Sequence, residues 1–406
     1  MMVLLELLIV VVIFVGLVMK RVDLGVSILA SSLLLGLIFG MPPVEILRSF
    51  WLGTIQLPTI NLVAIILLIL LLGNLLGETG NLRNIAAALE QLIPYRKVTL
   101  VLPAAFIGLL PMPGGAMLSA PMVEEGGRRM NLSAEMKTFI NYWFRHLWEY
   151  CWPLYPGLIL GAAILEVPIT RMMAAQWPIT LVAIGAGTLL GILRLPRQVS
   201  TDPCGKNPVA GLRFLAASVW PIVLVLALVL ATQLPMVVAL GLAIVASILV
   251  ARMGWSRLWP LLRKSLSWRT ALVLVAVMVF KRVLDGSGAI DAIPMAFEEL
   301  GVPPVLLLVL APFAVGILTG VNQAYVGVSF PMLVPLMGGP NPDFSLVMLA
   351  YVSGFVGVLL SPVHLCLLLT KGYYGARYPG VYRYLIPAAV MVQLGAFALL
   401  AARAYF

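Results

Sequence analysis

The chain has 406 residues, 62% of them hydrophobic and only 10% charged, with a mean hydropathy of +1.07. Soluble domains carry about 25% charged residues, so this composition excludes a soluble fold and indicates a polytopic membrane protein. The net charge of +10 fits Lys and Arg gathered on cytoplasmic loops and gives no reason to expect a nucleic-acid partner.

In chain order, apolar runs of spanning length fall at 2–19, 24–40 and 59–77. The first lacks a basic leader region and an A-x-A-like cleavage site, so it reads as a membrane helix with Glu6 near an interface. Next, NLRNIAAALEQLI places Leu82, Ile85, Ala86, Leu89 and Leu92 at helical spacing, as for a helix lying in the interface. Residues 98–123 contain LLPMPGGAMLSAPM, an apolar run broken at mid-membrane length by Pro and Gly. It reads as a re-entrant hairpin with Pro113, Gly114 and Gly115 at its tip. A long helix over 133–165 follows, expected to break at Trp152-Pro153-Leu154-Tyr155-Pro156, because proline removes an N–H and clashes with the preceding turn. A span at 177–195 completes a first half, 1–195.

The turn-rich segment 196–211, which contains PRQVSTDPCGKNP, reads as a cytoplasmic linker. The order then recurs over 212–406: spans at 212–232, 234–253 and 270–284, an amphipathic stretch at 289–300, and a hairpin at 303–337 around ILTGVNQAYVGVSFPM. A helix over 344–372 broken at Ser361-Pro362 follows, and then a last span at 381–404. Gly80, Ile85 and Glu90 align with Gly288, Ile293 and Glu298, and Ser119-x-Pro121-Met122 with Ser329-x-Pro331-Met332. With about five crossings per half, the second copy is inverted. Placing both termini outside puts roughly 20 of the 26 Lys and Arg on the cytoplasmic side. Arg48, Arg171, Lys281, Arg282 and Arg403 remain opposite, with Lys281 and Arg282 expected to snorkel to the interface. The first hairpin then enters from the cytoplasm and the second from outside.

Two inverted hairpins and two broken helices bring four half-helix N-termini toward the midplane, beginning near Ala116, Pro153, Ala324 and Pro362. Such ends favour anions, while the complementary C-terminal carbonyls suit Na⁺. Thr319, Gly320, Asn322 and Gln323 form the second tip, with helix capping as the alternative role for Asn322. Ser361 and His364 flank the second break, and His364 could equally be a packed histidine bonded to a carbonyl. The first broken helix carries Asn141, Tyr142, Arg145, His146 and Glu149 at helical spacing. Arg145 is a candidate carboxylate ligand and Glu149 or His146 a candidate proton carrier, although Arg145 and Glu149 could simply neutralise each other. Two histidines and three dispersed cysteines, Cys151, Cys204 and Cys366, match no disulfide or metal-ligand spacing, so no cofactor or metal centre is expected.

This arrangement resembles the ion transporter superfamily, which contains divalent anion–sodium symporters, tripartite dicarboxylate transporter membrane subunits and gluconate permeases. PMPGGAMLSAP is similar to the hairpin motif of a domain-of-unknown-function branch. The resemblance implies an all-α elevator transporter, often a homodimer, with substrate between the hairpin tips. By position it carries tip roles to Gly114, Gly115, Thr319, Gly320 and Asn322, and helix-break roles to Pro153 and Ser361-Pro362. Neither tip carries the symporters' Ser-Asn-Thr signature. The expectation is therefore a non-enzymatic, inner-membrane secondary transporter of a small organic anion, coupled to H⁺ or to Na⁺, with Na⁺ the one coupling ion it would hold. A cation–proton antiporter using Glu149, a subunit of a tripartite system and a membrane-embedded enzyme with a histidine base are the alternatives.

Overall fold

The computed structural model describes residues 2–81, 84, 85, 88, 92, 96–112, 114–196, 208–299, 301 and 303–405. Pro113, Leu82, Ala86 and Leu89 of the amphipathic stretch, and the linker at 197–207 with Cys204, lie outside the described residues. Among those described, every regular element is helical, and five helices are long and apolar enough to cross a membrane: Leu57–Glu78, Ile169–Arg194, Val209–Ala231, Phe344–Tyr374 and Tyr378–Arg403. Shorter apolar helices accompany them at Leu5–Met19, Leu24–Ile38, Lys97–Ile107, Met236–Val250 and Pro304–Thr319. The chain is an all-helical, membrane-embedded protein.

The first part of the chain runs α1 (Met2–Met19), α2 (Leu24–Ile38), α3 (Pro43–Ile55) and α4 (Leu57–Glu78). It continues with α5 (Arg96–Ile107) and α6 (Ala116–Arg129), then α7 (Ala134–Arg145), a 3₁₀ turn at Leu147–Tyr150, α8 (Pro156–Ile164) and α9 (Ile169–Leu190). The second part runs α10 (Pro208–Ala231), α11 (Met236–Val250), α12 (Trp255–Ser265), α13 (Trp268–Gly286) and α14 (Ala289–Glu299). Then come α15 (Pro304–Thr319), α16 (Asn322–Leu333), α17 (Phe344–Leu360), α18 (Leu365–Tyr374) and α19 (Tyr378–Tyr405).

Two helices, α3 and α12, escape a search for apolar runs because half their surface is polar. Each exposes tryptophan, Trp51 on α3 and Trp255 and Trp259 on α12, and α12 ends on Arg263 and Lys264. That pattern belongs at a membrane–water interface. The outgoing arm of the first hairpin, α6, runs on to Arg129 rather than ending at 123.

The first break also starts earlier than proline alone requires. Helical bonding stops at Arg145, so His146 and Glu149 lie in the break instead of on one helical face. The downstream half starts at Pro156, not Pro153. Pro153 has no N–H for the carbonyl of Glu149, its partner in a continuous helix. That carbonyl instead accepts the Tyr351 hydroxyl at 3.0 Å. In the second break, α17 ends at Leu360 and α18 begins at Leu365, past Pro362. At the second tip, the helix starts at Asn322 rather than Ala324.

Packing crosses between the halves. The outgoing arm α16 lies on α8, and α18 lies on α7 and α6. Between α15 and α17 the backbones nearly touch: a Cβ on Gly316 would come 2.2 Å from Gly354 O, and one on Gly357 would come 2.4 Å from Phe313 O. Only glycine permits this approach. Elsewhere α13 packs on α2, α3 and α4. Lys281 and Arg282 do not snorkel freely. Lys281 pairs with Glu166 at 2.6 Å, and Arg282 donates to Gln56 at 3.4 Å.

Candidate functional site

Both hairpin tips and both helix breaks meet around one cavity of about 270 Å³. Pro111, Met112 and Gly114 line it from the first tip, and Gly320, Asn322 and Gln323 from the second. Arg145, Glu149, Tyr155, His364 and Cys366 line it from the breaks. Ile66 and Leu70 of α4 and Thr270 of α13 close its remaining side.

The charged residues at its wall are almost wholly enclosed, Arg145 at 2% and Glu149 at 6% exposed, and His146 behind them is equally buried. Taking charges out of water is costly unless they are paired and hydrogen-bonded. Here Arg145 NH1 lies 3.4 Å from Glu149 Oε1, its NH2 donates to Met112 O at 2.9 Å, and its Nε–H has no partner among the described residues. The carboxylate accepts the Asn322 amide on Oε2 at 2.5 Å. Mutual neutralisation of Arg145 and Glu149 is therefore present, yet it leaves the guanidinium with a spare donor. Asn322 does not cap its helix. It occupies the first helical position after the extended Val321 and reaches across to the first break, leaving its Oδ1 without a partner among the described residues.

The four half-helices show an asymmetry between their ends. At the N-termini, the capping residues Gly115, Tyr155, Val321 and His364 make no side-chain cap bond. Elsewhere, Asp23, Ser133, Ser267 and Asp343 cap the starts of α2, α7, α13 and α17, while α3, α4, α9, α11, α12 and α15 also start without a side-chain cap, so what sets the four apart is that they converge. At the C-termini the expectation of free carbonyls fails. Tyr155 donates to Gly108 O, His146 Nδ1 contacts Tyr142 O at 2.5 Å, and His364 Nδ1 contacts Gly320 O at 2.6 Å. Tyr142 and Tyr382 donate to Leu359 O and Leu360 O at 3.1 and 2.9 Å. No capping side chain thus occupies the converging N–H ends, while each converging carbonyl end has at least one carbonyl already bonded, which suits a negatively charged occupant.

The remaining expected residues divide. Gly114 (φ +70°) and Gly320 (φ +65°) adopt the left-handed conformation that glycine supplies without strain. A Cβ on Gly115 would meet the Arg145 guanidinium at 3.0 Å, so this tip rests on that side chain. Gln323 faces the cavity half-buried. Ser361 is buried beside Gly320, with its hydroxyl unpartnered among the described residues. Asn141 instead supports the first arm by donating to Ala116 O at 2.9 Å, and Thr319 gives its hydroxyl to Val315 O at 2.7 Å. Neither lines the cavity, nor does Pro153, which is buried in the break. Sequence reasoning missed Met112, Tyr155, Tyr351 and Cys366. An isolated cysteine or tyrosine in an apolar run carries no pattern until the fold places its neighbours.

A family model described as a protein of unknown function, DUF401, matches residues 1–402. The chain belongs to the DUF401 family. Comparison with curated proteins finds no match. The DUF401 match spans both hairpins and both breaks, so the whole site lies within the family's extent.

Proposed function

We propose that this protein is a secondary active transporter of a small organic anion, a carboxylate, driven by a Na⁺ or H⁺ gradient through an elevator motion. The observation that carries this reading is the asymmetry of the half-helices. Four N-termini without a side-chain cap converge on a cavity that also receives a spare Arg145 donor, while at least one carbonyl at each facing end that would attract a cation is already bonded. The same asymmetry argues against a cation–proton antiporter.

An inverted repeat underlies the proposed motion. The succession of spans, amphipathic helix, span, hairpin, broken helix and span occurs twice along the chain. A Cβ on Gly108 would come 2.3 Å from Arg145 O, as one on Gly316 would come 2.2 Å from Gly354 O, so corresponding glycines allow corresponding close approaches. Hairpins and broken helices would move together past α4 and α13, whose Ile66, Leu70 and Thr270 form the cavity's third wall. We place the protein in the inner membrane as a homodimer with both termini outside.

A binding test precedes any flux measurement. Thermal unfolding of detergent-purified protein should shift upward with one class of mono-, di- or tricarboxylate, and an Arg145→Gln variant should lose the shift. Stabilisation by alkali cations alone, with none by any anion, would contradict the reading.

A further inference from the structure

His146 and His364 come from different helix breaks, yet their Nε2 atoms lie 3.2 Å apart. The partners of the opposite ring nitrogens fix their protonation. His146 Nδ1 faces Tyr142 O at 2.5 Å and His364 Nδ1 faces Gly320 O at 2.6 Å. A backbone carbonyl only accepts, so each Nδ1 carries the hydrogen and each neutral ring presents a lone pair on Nε2. Two lone pairs pointed at each other inside a protein repel unless something electrophilic lies between them. The Sγ of Cys366 joins them, with all three atoms within 4.8 Å of one another. Cys366 and His146 are buried, and His364 is half-buried at the cavity wall.

We infer that His146 Nε2, His364 Nε2 and Cys366 Sγ form a binding site for a borderline-soft divalent cation of the Zn²⁺ class. Three features carry the inference. First, tetrahedral ligands about 2.05 Å from a zinc ion stand about 3.3 Å apart, close to the separation of these two nitrogens. Second, Nδ1–H donation to a carbonyl is the outer-shell arrangement that fixes tautomer and ring orientation in metal-bound histidines. Third, a thiol beside two imidazoles completes a donor set that such cations prefer, whereas hard cations select oxygen. On binding, Cys366 would ligate as thiolate and release its proton to solvent. The fourth position would open toward the cavity, where Glu149 Oε1 stands 3.7 Å from His146 Nε2. Sharing one proton between the imidazoles also relieves the lone-pair conflict, but it gives Cys366 no part.

Co²⁺ tests the inference as a spectroscopic stand-in for Zn²⁺, using full-length protein purified with a chelator. Wild type should take up one Co²⁺ per chain with intense visible bands of tetrahedral coordination and a near-ultraviolet thiolate-to-metal band. Cys366→Ser should lose the ultraviolet band while remaining monodisperse, and Cys151→Ser, whose sulfur pairs with Thr180, should keep it. His364→Gln should lower Co²⁺ affinity at least tenfold. Absence of stoichiometric uptake, weak octahedral spectra, or an ultraviolet band that survives Cys366→Ser would overturn the site. The readout needs no substrate, so its failure leaves the transport reading untouched, and failed transport leaves the metal site standing.

Discussion

Asn322, at the tip of the second hairpin, donates its amide to Glu149 in the break of the first broken helix at 2.5 Å. This bond joins one half's hairpin to the other half's helix break. It occupies Glu149 Oε2 while Oε1 pairs with Arg145 NH1, and Arg145 Nε–H remains without a partner among the described residues. Replacing Asn322 with Ala leaves a buried carboxylate oxygen without its partner, at a cost of about 1–3 kcal/mol. We expect N322A to express and purify but to lose at least tenfold in substrate affinity, measured by ligand-induced thermal shift.

The Arg145–Glu149 pair predicts a non-additive cycle. Removing one member of a buried ion pair costs about 3–5 kcal/mol, because the other charge stays buried and unmatched. R145Q and E149Q should each lower the unfolding midpoint in detergent, and the double variant should be more stable than either. Additive losses would show that the two charges do not depend on each other. Arg145→Lys should fail to restore anion binding, since a point ammonium cannot reach Met112 O and Glu149 together while keeping a free planar donor.

The glycines at the two tips should differ in tolerance. Both hold positive φ, a strain of about 1–3 kcal/mol for alanine. At Gly320 a Cβ also lies 2.9 Å from the backbone N and Cα of His364, whereas at Gly114 its nearest neighbour is the flexible end of Leu369 at 3.4 Å. G320A should therefore be the more damaging, by expression level and thermal midpoint.

The all-helical, membrane-embedded character was legible in the sequence from its long apolar runs, and Ser361-Pro362 marks the interruption between α17 and α18 to within a residue. The site was less legible, for reasons of local geometry. Pro153 and Pro156 suggest a late break, but the helix gives way at His146, and Glu149 reaches Asn322 with one oxygen while keeping Arg145 on the other. Cys366 is one residue in an apolar run, and nothing in its spacing reveals two histidines beside it. Lys281 looked like an interfacial lysine because its acidic partner, Glu166, lies in a distant loop.

That Lys281–Glu166 pair bridges α13 and the loop after α8, elements that the elevator motion would separate. Lys281 is 17% and Glu166 76% exposed, so the pair is worth at most about 1 kcal/mol after solvent screening. E166Q should shift the balance of conformers by no more than about fivefold, read as a change in labelling rate of a cysteine placed in the cavity, and high salt should mimic it.

The proposed inversion of the halves predicts opposite exposure of equivalent sites. Cysteines introduced at Arg128 and at Arg282 should react with a membrane-impermeant maleimide from opposite faces of oriented vesicles, with wild type as the blank. Labelling from one face would remove the inverted repeat.

The most direct test of the central claim is uptake of radiolabelled carboxylates into proteoliposomes under imposed Na⁺ and pH gradients. The account predicts saturable, gradient-driven accumulation of one carboxylate class that R145Q and N322A abolish. If no anion moves under any gradient while cation flux appears, the protein is not an organic-anion transporter.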